Sequence, residues 1–191
     1  IVDAAQEDAE DTDELRLVSF SVADQEYAID IGAVQEIVQL PDHINHLPNV
    51  ATHVLGIMTP RDRILPLVSL RMLFGMPVAA YDEHHRIVVV GLPDGAQVGL
   101  VTDSVKEVLS VPTSLTDAMP GVLAKDPSMQ EFSSICRLDG GKRLVSIIAT
   151  EQLLGLPALQ EAAKLGHTSE SMEEQESTMA TSIDEDESLG H

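Results

Sequence analysis

The sequence predicts an all-β fold of two small five-stranded barrels with short connecting helices. Two observations carry that expectation. Short apolar runs alternate with turn residues from about 15 to 155, the texture of brief strands joined by tight connections. The chain also repeats itself. Val34-x-Glu36-Ile37-Val38-x-Leu40-Pro41 returns 71 positions on as Val105-x-Glu107-Val108-Leu109-x-Val111-Pro112, and Tyr27 and Ile29 fall on Val98 and Leu100. Ile64-Leu65-Pro66-Leu67-Val68 returns 80 positions on as Leu144-Val145-Ser146-Ile147-Ile148, carrying Leu73-Phe74-Gly75 onto Leu153-Leu154-Gly155. The nine extra residues fit in a long loop at 112–131. Each half, about 15–80 and 86–155, thus runs hairpin, V-x-E strand, long loop, hairpin, short helix. Five strands per half imply two barrels that close their own edges.

Residues 1–14 are acidic, have almost nothing to bury and are expected to be disordered. Leu15, Leu17, Phe20 and Val22 are spaced as in a half-buried strand; Ala23-Asp24-Gln25 turns the chain and Tyr27-Ala28-Ile29 returns it. Val34 to Leu40 is a second apolar run, with Glu36 expected to point away from it. A polar loop at 41–53 holds His43, His46 and His53. Val54 to Gly75 then reads as strand, turn, strand and the first turn of a helix. At its tip, Thr59-Pro60-Arg61-Asp62, proline presets φ and Asp tolerates the left-handed region. Pro66 lacks a donor, which predicts an edge strand or a bulge there. Arg61 and Arg63 flank the tip of this otherwise apolar hairpin and make it a candidate contact point.

After a linker at 76–85, Arg86 to Leu92 is a β-branched strand. Pro93-Asp94-Gly95 turns it, and Gln97 to Leu109 returns. A last hairpin runs from Phe132 to Ala149 around Asp139-Gly140-Gly141, followed by a short helix at 150–155. Residues 156–166 read as one more short helix, with Pro157 at its start and Gly166 as its stop. From 167 to 191 the chain is polar, acidic and without periodicity, and is expected to be a disordered tail or a linker.

The net charge of −21 is concentrated at the ends: residues 1–14 carry −7, 155–191 carry −8, and 15–154 only −6. Acidic ends repel nucleic acid and anionic membranes, whose binding depends on Lys and Arg. With 3% aromatic residues and no Trp there is no stacking platform for single strands either. The single cysteine, Cys136, sits in an apolar-flanked run, which predicts a small buried side chain and a cytoplasmic setting. No apolar run approaches a membrane span.

Reactive groups do not converge. The three loop histidines lack the cysteine or carboxylates that would complete a metal set, so no metal, cofactor or catalytic residue is expected. Gly95, Gly99, Gly140 and Gly141 read as turn and strand glycines, and no phosphate-loop or nucleophile-elbow pattern occurs. Glu36 and Glu107 read as duplicated strand positions rather than an acid–base pair. The residues describe a non-catalytic β module with exposed contact sites.

Three sets of residues together resemble CheW-like domains, the adaptor modules of bacterial chemosensory arrays. They are Tyr27-Ala28-Ile29 with Val34-x-Glu36-Ile37; Leu47-Pro48 with Gly56-Ile57-x-x-x-Arg61-x-x-Ile64-Leu65-Pro66-Leu67-Val68-x-Leu70-Arg71; and Val98-Gly99-Leu100-Val101-x-Asp103-x-Val105-x-Glu107-Val108. The resemblance covers about 15–155 and implies two five-stranded SH3-like barrels. It implies a scaffold that couples the cytoplasmic tip of a methyl-accepting chemoreceptor to the regulatory domain of the histidine kinase CheA, beneath membrane-anchored receptor arrays. Contacts with other CheW-like domains in rings are also implied, and no direct membrane insertion. Receptor contact would centre on the groove between the barrels and on Arg61, with Val34, Glu36, Gly56, Gly99 and Val105. Kinase contact is not assignable residue by residue. The family's Asn-Leu-Arg-Gly tip is Thr59-Pro60-Arg61-Asp62 here, and an Asp common after the Pro-x-x strand is Ser69, with Ala149 or Thr150 as its counterpart. Asp62 places a negative charge beside Arg61 and implies altered receptor preference. An alternative reading is a CheW-like unit of a longer protein, such as a tandem adaptor, a CheV-type adaptor or a kinase regulatory region, acting as an auxiliary array component.

Overall fold

The computed structural model describes residues 13–118 and 133–166; the expectations for 1–12, 119–132 and 167–191 lie outside the described residues. The first five strands are β1 (Glu14–Val22), β2 (Gln25–Asp30), β3 (Val34–Gln39), β4 (Val54–Met58) and β5 (Leu65–Ser69), followed by helix α1 (Leu70–Leu73). Then come β6 (Arg86–Gly91), β7 (Gln97–Thr102), β8 (Ser104–Pro112), β9 (Thr116–Ala118), β10 (Ser133–Leu138), β11 (Arg143–Ile148) and α2 (Thr150–Leu154). Helix α3 spans 157–166.

Two sheets result, with strand orders β8-β1-β2-β11-β10-β9 and β3-β6-β7-β5-β4. The halves of the repeat do not close barrels of their own, as the sequence reading had implied. Each sheet takes the opening hairpin of one half and the later strands of the other. The chain crosses from sheet to sheet between β2 and β3 and again between β7 and β8, where the sequence suggests one continuous strand from Gln97 to Leu109. Asp103 breaks that run. Its N–H donates to the Ser21 carbonyl (2.9 Å), and its carboxylate accepts from the Ala23 N–H (2.8 Å) and from Arg71. The chain is thereby sent from one sheet into the other.

The repeat nonetheless governs the pairing. In the parallel pairs, Ile147 of β11 lies opposite Ala28, and Leu67 of β5 lies opposite Gly99, the positions that the two offsets superimpose. A bulge at Gln35 in β3 matches a bulge at Lys106 in β8, again 71 positions apart. The short β9 lies in what reads as a strandless loop and pairs with β10; its counterpart is a lone bridge between Asn45 and Ile57 of β4. Pro66 corrects an expectation, because β5 is an interior strand between β7 and β4. The β5–β7 ladder opens at Leu67, one residue past the proline, so no rung to β7 needs the missing donor.

Period-two alternation sends side chains to both faces, and each face finds its own core. Leu17, Ala28, Val111, Cys136, Val145 and Ile147 form a cluster within the first sheet, to which strands as far apart as β8 and β10 contribute. The sheet must therefore curl on itself. Leu65, Leu67, Ile87, Val89 and Val101 do the same in the second sheet, with Val38 and Met58 from its two edges packed against them. The opposite faces meet in a central cluster between the sheets that includes Phe20, Tyr27, Ile29, Val68, Val88 and Leu100, closed by Leu153 and Leu159. The largest cluster is thus the one the sheets share.

Candidate functional site

β3 and β8 are the edge strands of their sheets and stand at the same place in the repeat. Each carries a valine just before its bulge, Val34 or Val105, packed partly exposed on the central cluster. After the bulge each carries a glutamate and then an exposed apolar residue: Glu36-Ile37 and Glu107-Val108, with Ile37 41% and Val108 53% exposed. Ile37 lies opposite Val88, and Val108 opposite Val18, both buried in the central cluster. Cross-strand neighbours point to one face, so Ile37 and Val108 each stand at an exposed edge of the face that carries the central cluster. The sequence alone puts Glu36 outward and does not bring Ile37 or Val108 into the site. The bulge at Gln35 reverses the alternation: Glu36 is on the half-covered side and Ile37 outside. The signal that could have found them was the repeat, which puts two β-branched residues at one exposed position.

The hairpin tip comes to β3. Arg61 Nη2 lies 3.2 Å from Glu36 Oε1, so two of the sequence-predicted residues, far apart in the chain, form one ion pair. Its worth is small, since the arginine side chain is 76% exposed, which leaves it open to a partner's carboxylate. The tip is a left-handed turn at both Arg61 (φ 54°) and Asp62 (φ 63°), with the Arg63 N–H donating to the Pro60 carbonyl (3.1 Å). Asp62 therefore keeps the turn that Gly would adopt without strain, and Arg61 pairs with Glu36 rather than with its neighbour.

Gly56 and Gly99 do not share this surface. Gly56 is buried in β4 at φ 147°, where a Cβ would stand 2.3 Å from the Asn45 carbonyl oxygen. Gly99 lies inside the second sheet, where a Cβ would meet Ile87 Cγ2 at 2.6 Å and Leu67 Cδ2 at 2.7 Å. Both shape the strands that carry the site and offer no side chain to a partner.

Two polar clusters brace the sheets. Arg71 holds Asp103 through Nε (2.9 Å) and Nη2 (2.7 Å) and caps the Pro77 carbonyl through Nη1 (2.9 Å). Burial opposes ionisation of Asp103, but the guanidinium and the Ala23 N–H outweigh it and hold the carboxyl below its usual range. At the end of the first sheet, Arg143 joins Glu26 through Nε (2.8 Å) and Nη2 (2.6 Å) and reaches Glu107 at 2.8 Å, while the Ser19 hydroxyl also donates to Glu26. The Arg143 hydrogen bonds keep Glu26 below the usual carboxylate range despite its burial. Glu107 is the repeat counterpart of Glu36, and each pairs with an arginine of the later hairpin in its own sheet, though Arg143 corresponds in the repeat to Arg63 rather than to Arg61.

Among the described residues no three His, Cys, Asp or Glu side chains gather as a metal would require. Of the loop histidines, His46 Nδ1 meets the Leu55 carbonyl at 2.9 Å. Cys136 is buried, which pushes its thiol pKa up. No helix among the described residues is long and apolar enough to cross a membrane.

The family model for CheW-like domains matches residues 16–158. A chemotaxis protein CheW of Helicobacter pylori is 30% identical over 149 residues, 78% of this chain and 86% of that protein. A chemotaxis protein CheW of Klebsiella aerogenes is 29% identical over 135 residues, 71% of this chain and 78% of that protein. The crystal structure of scaffolding protein TtCheW from Thermoanaerobacter tengcongensis superimposes with a TM-score of 0.65 at 26% identity, covering 75% of this chain and 90% of that one. Its two sheets, each curled over its own core, match the paired SH3-like units of that fold. The match reaches every strand of both sheets and the residues that carry the repeat, and this chain belongs to the CheW-like domain family.

Proposed function

We propose that this protein is a non-catalytic chemotaxis adaptor that couples a chemoreceptor's cytoplasmic tip to the regulatory domain of the kinase CheA. The observation that carries the reading is the two repeat-related edge strands. They offer Val34, Ile37, Val105 and Val108, and on β3 an exposed Arg61 stands on Glu36. Exposed apolar residues beside a charge are what an amphipathic receptor helix needs. Gly56 and Gly99 contribute by letting their strands approach closely. Each interface is modest alone, and avidity in an array supplies the rest. The adaptor transfers no phosphate; it holds the kinase where differential contacts in two receptor states bias its equilibrium.

The test titrates the full chain against a CheA regulatory domain and, separately, a receptor-tip fragment. Arg61→Ala and Val108→Asp are expected to weaken receptor binding at least about tenfold while sparing the kinase domain. Asp62→Gly removes the charge beside Arg61 and is expected to strengthen the receptor contact. Kinase binding with no receptor binding would replace this reading with an auxiliary ring component, and binding to neither would end it.

A further inference from the structure

Arg63 stands in the repeat where Arg143 stands, 80 positions earlier, and the two have different surroundings. In the first sheet Arg143 is held by two carboxylates, Glu26 (2.8 and 2.6 Å) and Glu107 (2.8 Å). In the second sheet neither counterpart is left for Arg63. Glu36, the counterpart of Glu107, pairs with Arg61. The counterpart of Glu26 is Gln97, a neutral amide whose Nε2 donates to Gln35. Arg63 is exposed and makes no ion pair among the described residues.

Arg63 and Gln97 border one open surface cleft of about 160 Å³, with Ala96 on one side and Ala163 and Gly166 of α3 on the other. That is room for a side chain or two rather than for a small molecule. Arg63 is the only charged residue among those that line it. The described chain leaves α3 at this same cleft, where Gly166 packs beside Ile64 and Pro66 of the hairpin whose tip carries Arg61. The segment that follows, 167–191, holds eight Asp and Glu and no Lys or Arg, with four of the acids at Glu170, Glu173, Glu174 and Glu176. Glu170 is four residues past Gly166, so covalent geometry keeps it within about 14 Å. A single exposed ion pair is weak, but several carboxylates tethered at the edge of the cleft reach a local concentration of about millimolar.

We propose that the acidic segment 167–191 supplies in cis the carboxylate that Arg63 lacks, with the acids from Glu170 to Glu176 meeting Arg63 at its cleft as Glu26 meets Arg143. The first sheet completes its arginine site with a residue of its own strand β2, and the second sheet completes the matching site with the chain that leaves α3. The same acids then stand near the exposed Arg61, two residues along the hairpin, and compete with a partner's carboxylate for it. This competition rests on the receptor reading; the cis contact does not.

The test places a nitroxide label beside these acids, on Ser171→Cys in the full chain. Cys136 is buried with its thiol pKa pushed up, and stays unlabelled. Broadening of the Gly95, Ala96 and Gln97 amide resonances by the label reports the contact. Adding Arg63→Gln is expected to reduce that broadening at least about threefold, as is salt at about 1 M, where the Debye length is about 3 Å. Arg137→Gln removes an exposed arginine of the first sheet and is expected to leave the broadening unchanged. Broadening that survives Arg63→Gln would mean that the segment is near only because it is tethered there. An equal loss with Arg137→Gln would mean diffuse attraction, and either result overturns the proposal. The second measurement uses the full chain with Glu170→Gln, Glu173→Gln, Glu174→Gln and Glu176→Gln. It is expected to bind a receptor-tip fragment at least about threefold more tightly than the unaltered chain. Equal affinity would overturn the competition for Arg61. Failure of both chains to bind the tip would overturn the receptor reading together with the competition, and the label decides the cis contact in either case.

Discussion

Gly99 shows how much a single position decides. It lies opposite Leu67 in the parallel ladder, and its repeat counterpart is Ala28, opposite Ile147. The first sheet has room for a methyl group there; the second has Ile87 and Leu67 within 2.7 Å of where one would stand. Gly99→Ala is expected to destabilise the fold by about 1–3 kcal/mol, read as a lowered denaturant midpoint, whereas Ala28→Gly leaves a void rather than a clash. The Glu26–Arg143 pair gives a pH dependence of definite sign. The folded pKa of Glu26 lies below its ordinary value, so its stabilisation is complete above that value and is lost as pH falls through the folded pKa. Asp103 acts in the same direction. Stability measured from neutral pH downward should therefore fall below the ordinary carboxylate range. Arg143→Met should flatten that fall and lower stability at neutral pH by about 2 kcal/mol, since Glu26 is then left without its charged donor.

The short helices after β5 and β11 are repeat counterparts with different starts. Ser69 caps α1, its hydroxyl accepting from the Met72 N–H (3.3 Å). Ala149 stands at the same place before α2 and has no side-chain cap. Ser69→Ala is expected to cost about 1 kcal/mol and Ala149→Ser to add somewhat less, both measurable by thermal melting. Of the two repeat-related helix starts, the one without a side-chain cap is the second. The element order, the turns and the helix starts were legible in the sequence because they rest on neighbours a few residues apart. The break at Asp103 was not, because the groups that hold it come from Ala23 and Arg71.

At the scale of the molecule the exchange of hairpins sets the folding unit. Every core cluster draws on both halves: Leu17 and Ala28 meet Val145, and Leu67 meets Ile87 and Val89. Neither 1–82 nor 83–191 can complete a core. Each fragment alone is expected to show no cooperative melting by circular dichroism, and an equimolar mixture to recover it. Independent folding of either fragment would contradict the interleaved topology. The same exchange leaves β3 and β8 as edge strands of different sheets, each packing its valine on the central cluster that the sheets share.

By itself the sequence determined the all-β class, the repeat and the hairpin tip with Arg61. These follow from alternation and turn chemistry, both local. The pairing of Arg61 with Glu36, the outward turn of Ile37 and Val108, the interior place of Pro66 and Gly99, and the choice of which hairpin joins which sheet were decided only by the tertiary structure. Strand pairing depends on which edges meet, and a bulge of one residue exchanges the two faces of a strand; neither is encoded in the spacing of apolar residues along one run.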